Sequence, residues 1–326
     1  MTSAHLKCMT EIFEPYEAQT FIKDHFGGRA REITQLRGGD WSQAYALSLD
    51  GQNVVVRFGV HGEDYRKDQI MAGWTSEELP VPKVIEVGET DHGFFAVSER
   101  AEGEFLDELD NRRMKAVLPS LFSVMDAIRD LDVSNTEGYG NWGSGLKGPQ
   151  RSWQEALLHE FGEDRPGSRN HGWRAALQTS EDGARDFDTT LTTLERLAKH
   201  MPAERHLIHH DLLYRNVLVQ GDKISAVLDW GNSLYGDHIY DAAWLLYCQP
   251  RYTNWPDIDL YSALLQHWEA NGKIPDDLEA RLLCYQIHVG LDALSYDAFK
   301  GDWKQFELNR QQTMSLVETA ERNLRP

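Results

Sequence analysis

The 326-residue chain carries 33 Lys+Arg against 52 Asp+Glu, a net charge of −19, with 41% hydrophobic and 26% charged residues. This is the composition of a globular protein long enough for two cores, and the excess of acid argues against nucleic acid or an anionic membrane as a partner. Cys8, Cys248 and Cys284 stand far apart with no Cys-x-x-Cys pair, which excludes a disulfide scaffold or a cysteine zinc framework and fits a reducing cytoplasm.

The N-terminus "MTSAHLKCMTEIFEPYEAQ" has no apolar stretch of the signal-peptide kind. The longest apolar runs, such as "AAWLLYC" at 242–248, are too short to span a bilayer. Strands are expected at 31–40, 44–49 and 53–60, the last two joined by a hairpin turn at Asp50–Gly51. A helix follows at 61–74. The prolines of "LPVPKVIEVGE" (79–89) forbid a helix there, so this segment reads as a loop entering a strand, and "GFFAVSER" (93–100) as another strand. Beyond residue 100 the pattern turns helical, at 116–131 with Pro119 as an early-turn or kink residue, and at 153–161, 171–179 and 184–200. Two short strands, 216–220 and 223–230, flank a Gly221–Asp222 turn, and the remainder is helical. The expected fold is α+β and bilobal, with a small antiparallel-sheet lobe at 1–100 and a large, mainly helical lobe at 101–326.

The segment "HLIHHDLLYRNVLV" (206–219) is where polar chemistry concentrates. Phosphoryl transfer asks a protein for metal ligands, a carboxylate that orients the attacking hydroxyl, and a cation on the phosphates. His209-His210-Asp211 followed by Asn216 supplies H-x-D-x-x-x-x-N, in which Asp211 aligns an alcohol and accepts its proton while Asn216 offers an amide oxygen to Mg²⁺. Asp229, at the end of the second short strand, adds a carboxylate. The tight turn makes the strands antiparallel, so Asn216 and Asp229 fall at one edge. His206, His209 and His210 could instead ligate zinc, but no carboxylate or cysteine follows at helix-compatible spacing, and His209 reads better as a packed brace of the loop.

The stretch "HLIHHDLLYRNVLVQGDKISAVLDWGNSLYGDHIYDAAWLL" resembles the signature of the aminoglycoside phosphotransferase family and related small-molecule kinases, which share the protein-kinase-like fold. Asp229 is followed by Trp230 and Gly231 rather than Phe-Gly, and no Ala-Pro-Glu segment comes after it, which disfavours a protein substrate. "ELPVPKVIEVGE", "SERAEGEFL", "RHLIHHD" and "HVGLDAL" are similar to the hygromycin B branch of that family. The resemblance implies ATP and Mg²⁺ as cofactors, Asp211 as catalytic aspartate, and Asn216 and Asp229 as metal ligands. It also implies a loop over the phosphates containing Gly38, Gly39 and Ser42, and Arg57 in place of the usual phosphate-binding lysine. The acid pairing with Arg57 would be Glu63, Asp64 or Asp68, with Asp68 preferred, and main-chain groups near Ser98 and Arg100 would contact the adenine.

Asp237 and Asp241 match acidic positions beyond the metal aspartate, with helix capping as the plainer explanation. An acceptor bearing ammonium groups needs carboxylates; Asp292 is the chief candidate and Asp237 a second, while Asp297, Asp302 and Glu307 read more as solvated helix faces. Three functions stay open: a kinase of aminocyclitol antibiotics conferring resistance, a metabolic kinase acting on a sugar or amino alcohol, and a nucleotide-binding pseudokinase. The last expects loss of Asp211, Asn216 or Asp229, and all three are present. A cytoplasmic monomer acting on a small, polycationic molecule is the expectation.

Overall fold

The computed structural model describes residues 14–162, 164, 168–272 and 274–324; Cys8 and most of the N-terminal stretch read above lie outside them. In chain order the first elements are α1 (Pro15–Phe26), β1 (Ala30–Gln35), β2 (Ser42–Leu49), β3 (Gln52–Gly59), α2 (Gly62–Ala72), β4 (Val84–Thr90), β5 (Gly93–Glu99) and β6 (Glu104–Phe105). There follow α3 (Asn111–Arg129), β7 (Gly140–Asn141), α4 (Trp153–Gly162), α5 (Trp173–Leu177), α6 (Glu181–Ala198), β8 (His206–Ile208), β9 (Val217–Gln220), β10 (Lys223–Val227) and β11 (Leu234–Gly236). The last are α7 (Ile239–Cys248), α8 (Leu260–Ala270), α9 (Leu278–Lys300) and α10 (Trp303–Asn323). No helix among the described residues is long and apolar enough to cross a membrane.

The chain divides into two compact units. One contains the residues up to Leu109 together with Tyr214–Asn232; the other contains Asp110–Leu213 and the chain from Ser233 onward.

In the first unit an antiparallel sheet has the strand order β1-β2-β3-β5-β4. Alternation sends Tyr45 and Leu47 of β2, Val54, Val56 and Phe58 of β3, and Phe95 and Val97 of β5 to one face. Ala18, Ile22 and Phe26, spaced four apart on α1, close that core. The Asp50–Gly51 turn has φ of 51° and 84°, two positive values in succession as the tightest hairpins require. A second sheet, β10-β9-β6, brings the later hairpin onto the first unit through the pairing of Glu104 with Val219.

The second unit is mainly helical, with α9 buried among α5, α6, α7 and α10. Its small sheet, β7-β11-β8, carries the strand that enters the histidine-rich loop. The helix expected at 116–131 begins earlier, at Asn111, because Asp110 accepts a hydrogen bond from the Arg113 N–H at 2.8 Å and caps it. Pro119 therefore lies in the helix interior rather than near its start. The strand expected at 223–230 stops at Val227, since Asp229 has a φ of 59° and cannot continue an extended run.

Candidate active site

Arg57 lies on β3, on the face opposite the α1 core, and its cross-strand partners are Ala44 and Ala96, whose small side chains leave room for a guanidinium. Of the three acids on α2 that could meet it, Asp68 forms the ion pair through Oδ2, whereas Glu63 lies 3.5 Å from Arg66. The Arg57 guanidinium also sits 5.1 Å from the centre of the Tyr65 ring. Burial opposes its charge, and the carboxylates of Asp68 and Asp229 outweigh that cost, so it stays protonated. Burial pushes the Asp68 carboxyl up and Asp229 adds to this, while Arg57 and the Trp230 N–H oppose it.

The same helix grips the segment after Asp229. Asp68 Oδ1 accepts from the Trp230 N–H at 2.8 Å, and Lys67, only 1% exposed, donates from Nζ to the Gly231 carbonyl at 2.9 Å. A Cβ at position 231 would come within 2.7 Å of the Asp64 carboxyl, so the helix can approach this closely only against glycine. Lys67 was not singled out from the sequence, since its partner is 164 residues away, and Asp64 was considered only as a partner for Arg57.

The hairpin brings the main chain of Asn216 next to the residue before Asp229. Val217 pairs with Val227, and one step further the Leu228 N–H donates to the Asn216 carbonyl at 2.7 Å. Asn216 is thereby fixed beside the residue preceding Asp229, and Asp229 is exposed between buried Val227 and Trp230. One carboxylate and one amide, both hard oxygen donors, suit Mg²⁺ rather than a softer ion.

In the loop before β2, a Cβ on Gly38 would lie 2.6 Å from the Ser42 carbonyl, whereas the same position on Gly39 is open. Only Gly38 is thus required by a close backbone approach. Ser42 opens β2 opposite Gly59. Ser98 pairs within the sheet with Val55 and Val84. The Arg100 N–H donates to the Asn53 carbonyl at 3.0 Å and the Glu99 N–H to the Lys83 carbonyl at 2.9 Å. The Arg100 N–H is thus engaged in the sheet, which leaves the adenine contact expected near Ser98 and Arg100 to other main-chain groups there.

In the second unit, β8 leads into the loop of His209, His210 and Asp211. Asp241, in the first turn of α7, accepts from the His209 N–H at 2.9 Å and the His210 N–H at 2.8 Å. Burial pushes its carboxyl up to about 6, against the pull of those two N–H groups. His209 is fully buried, and its Nδ1 accepts from the Asp211 N–H at 3.2 Å, the bracing role expected of it. His210 has a φ of 69°, and its Nε2 lies 3.1 Å from the Tyr240 hydroxyl, which in turn lies 2.7 Å from His288 Nδ1. Asp211 is half-buried on this frame.

Asp237 does not have the surroundings of an acceptor ligand. It is 0% exposed, accepts from Arg281 at 2.8 and 2.5 Å and from the Tyr285 hydroxyl at 2.5 Å, and receives the Ile239 N–H at 3.1 Å. Its work is to hold α9 to the start of α7. Replacing Asp237 by Ala leaves the Arg281 charge buried and is expected to lower unfolding stability by about 3–5 kcal/mol, measurable by denaturant titration.

The acids of α9 and α10 divide by surroundings. Asp302 caps α10 through the Gln305 N–H at 3.1 Å, Glu307 pairs with Arg310 at 2.9 Å, and Asp297 accepts from Asn309 at 2.6 Å. Asp292 differs. Burial, the charge of Glu160 on α4, and Asp297 together push its carboxyl up to about 7. Glu160 was missed in the sequence because nothing in α4 marks it until α9 is placed beside it.

Comparison with known proteins supplies the family. The profile of the Phosphotransferase enzyme family (APH) matches residues 32–283. The chain belongs to that family. This phosphotransferase is 27% identical to hygromycin-B 4-O-kinase of Escherichia coli over 274 residues, covering 83% of its own length and 76% of the relative's. Among solved structures it is similar to a thermostable mutant of aminoglycoside phosphotransferase APH(4)-Ia in ternary complex with AMP-PNP and hygromycin B, at 25% identity and a TM-score of 0.78, covering 92% of this chain and 97% of that one. A complex of the same protein with ADP and hygromycin B matches at the same identity and TM-score. The phosphotransferase therefore has the protein-kinase-like α+β fold, a small antiparallel sheet followed by a helical region.

Proposed function

We propose that this phosphotransferase moves the γ-phosphate of ATP onto a hydroxyl of an aminocyclitol antibiotic of the hygromycin B type. The observation that carries the reading is the hairpin that fixes the Asn216 main chain against Leu228, next to the exposed Asp229, with Asp211, five residues before Asn216 in the chain, braced by His209 and Asp241. Asp211 orients the acceptor hydroxyl and takes its proton. The acceptor oxygen forms a bond to the γ-phosphorus, the bond to the bridging oxygen breaks, and ADP leaves with that electron pair. Asn216 and Asp229 would hold Mg²⁺, which when bound would neutralise charge on the phosphates. Arg57, oriented by Asp68, contacts the phosphates, as does the loop of Gly38 and Ser42. The adenine takes main-chain groups near Ser98 and Arg100.

The acceptor assignment is supported by the net charge of −19 and by the acidic pair Glu160 and Asp292. An ammonium group favours ionised Asp292, and Asp292 ionises above about 7. The KM for a cationic acceptor is therefore expected to fall as pH rises through that value, and Asp292→Asn should flatten the profile. A profile unchanged by Asp292→Asn would remove this residue from the acceptor site.

Expression in an aminoglycoside-sensitive bacterium tests the reading as a whole. Growth on hygromycin B, lost with Asp211→Ala, is expected. Sensitivity to every aminocyclitol, with rapid turnover of a plain sugar or amino alcohol by the purified protein, would replace it with metabolic kinase activity.

A further inference from the structure

We infer that Glu204, His206 and His238 form a binding site for a divalent ion of the zinc class, seated at the base of the catalytic loop and separate from the proposed Mg²⁺ ligands. One ligand atom from each of the three lies within 4.8 Å of the other two. Glu204 Oε2 is 3.3 Å from His238 Nδ1 and 3.8 Å from His206 Nε2, and the two imidazole rings stand 4.9 Å apart at 73°.

The hydrogen bonds around the cluster set the rings for ligation. His206 Nδ1 is 3.0 Å from the Arg129 carbonyl. A carbonyl only accepts, so Nδ1 carries the hydrogen and Nε2 presents a lone pair toward Glu204. His238 Nδ1 is buried with no hydrogen-bond partner, although carboxylate oxygens of Glu204 and Asp237 lie 3.3 and 3.6 Å away. His206 Nε2, Glu204 Oε2 and His238 Nδ1 thus face one point, an arrangement that a cation can bridge once His238 carries its hydrogen on Nε2. Arg281 Nη2 donates to Glu204 Oε2 at 2.9 Å and fixes the carboxylate, the outer contact that ligating carboxylates generally have.

Two imidazoles and one carboxylate, with side chains 17–40% exposed, match zinc, with water completing a four-coordinate shell. Mg²⁺ prefers an oxygen set such as Asn216 and Asp229. Glu204 precedes β8, His206 opens it opposite Gly236 of β11, and His238 immediately precedes α7. An ion here staples the strand entering the catalytic loop to the helix whose Asp241 holds that loop. Spacing could not reveal the site: its second histidine comes from beyond the hairpin.

The test uses the full chain stripped of metal with a chelator and titrated with Zn²⁺ or Co²⁺ without nucleotide. The wild type is expected to bind one equivalent tightly, to show the visible absorption of four-coordinate Co²⁺, and to melt at higher temperature with Zn²⁺. His206→Ala with His238→Ala should weaken zinc binding by at least about 100-fold and abolish the Co²⁺ spectrum. Glu204→Gln, which preserves shape, should act in the same direction if the double variant does not fold. Asp229→Asn should leave one-equivalent zinc binding intact, which separates this site from the proposed Mg²⁺ site. Weak binding of several equivalents, equal in wild type and in Glu204→Gln, would overturn the inference and leave only scattered surface histidines.

Discussion

Asp211→Ala is expected to lower kcat by roughly 10²–10⁴-fold, the range over which a positioned general base contributes, while the KM for ATP stays nearly unchanged. Asp211 follows a fully buried His209 that accepts its own N–H, and the loop backbone is held at two further N–H groups by Asp241. Such bracing fixes the backbone that carries the Asp211 carboxylate. Steady-state ADP release with saturating acceptor reads the effect. A rate within a fewfold of wild type would take the base role from Asp211. A large rise in the KM for ATP would instead place it among the nucleotide contacts.

The second large effect is expected at Asp229. Asp229→Asn is the informative replacement, because asparagine tolerates the positive φ of 59° there and only the charge is lost. Turnover should fall roughly 10²–10³-fold, as when one preorganised electrostatic contact to the reacting group is removed. The Mg²⁺ concentration giving half-maximal rate should rise together with the KM for ATP. This coupled change separates Asp229 from Asp211, whose loss should leave the Mg²⁺ dependence alone. Because Asp229 also acts on Arg57 and Asp68, part of the loss reflects a guanidinium with one carboxylate fewer beside it. An unchanged Mg²⁺ dependence in the variant would contradict its assignment.

What the sequence makes legible follows from locality. The hairpin could be read because a tight turn with Gly221 at a φ of 66° joins two short apolar strands, and antiparallel pairing then forces Asn216 and Asp229 to one edge. The Arg57–Asp68 pair was within reach for a similar reason, since β3 and α2 are neighbours in sequence. The grip of Lys67 and Asp64 on Gly231, the enclosure of Asp237 by Arg281 and Tyr285, and the meeting of Glu160 with Asp292 join elements far apart in the chain. Composition and periodicity carry no signal for such pairs. Arg100 illustrates a different limit: which main-chain N–H a strand end spends on its sheet depends on register, and side-chain identity does not report it. The return of Tyr214–Asn232 to the first unit is of the same kind, since it rests on β6 pairing with β9.

The most direct test of the central claim is transfer itself. Purified protein, Mg²⁺ and γ-labelled ATP are incubated with hygromycin B, and the label is followed by mass spectrometry. One phosphoryl group on a hydroxyl of the antibiotic, formed in step with ADP and absent with Asp211→Ala, is the predicted result. Release of label only as inorganic phosphate, or equal labelling by the Asp211→Ala protein, would contradict the account.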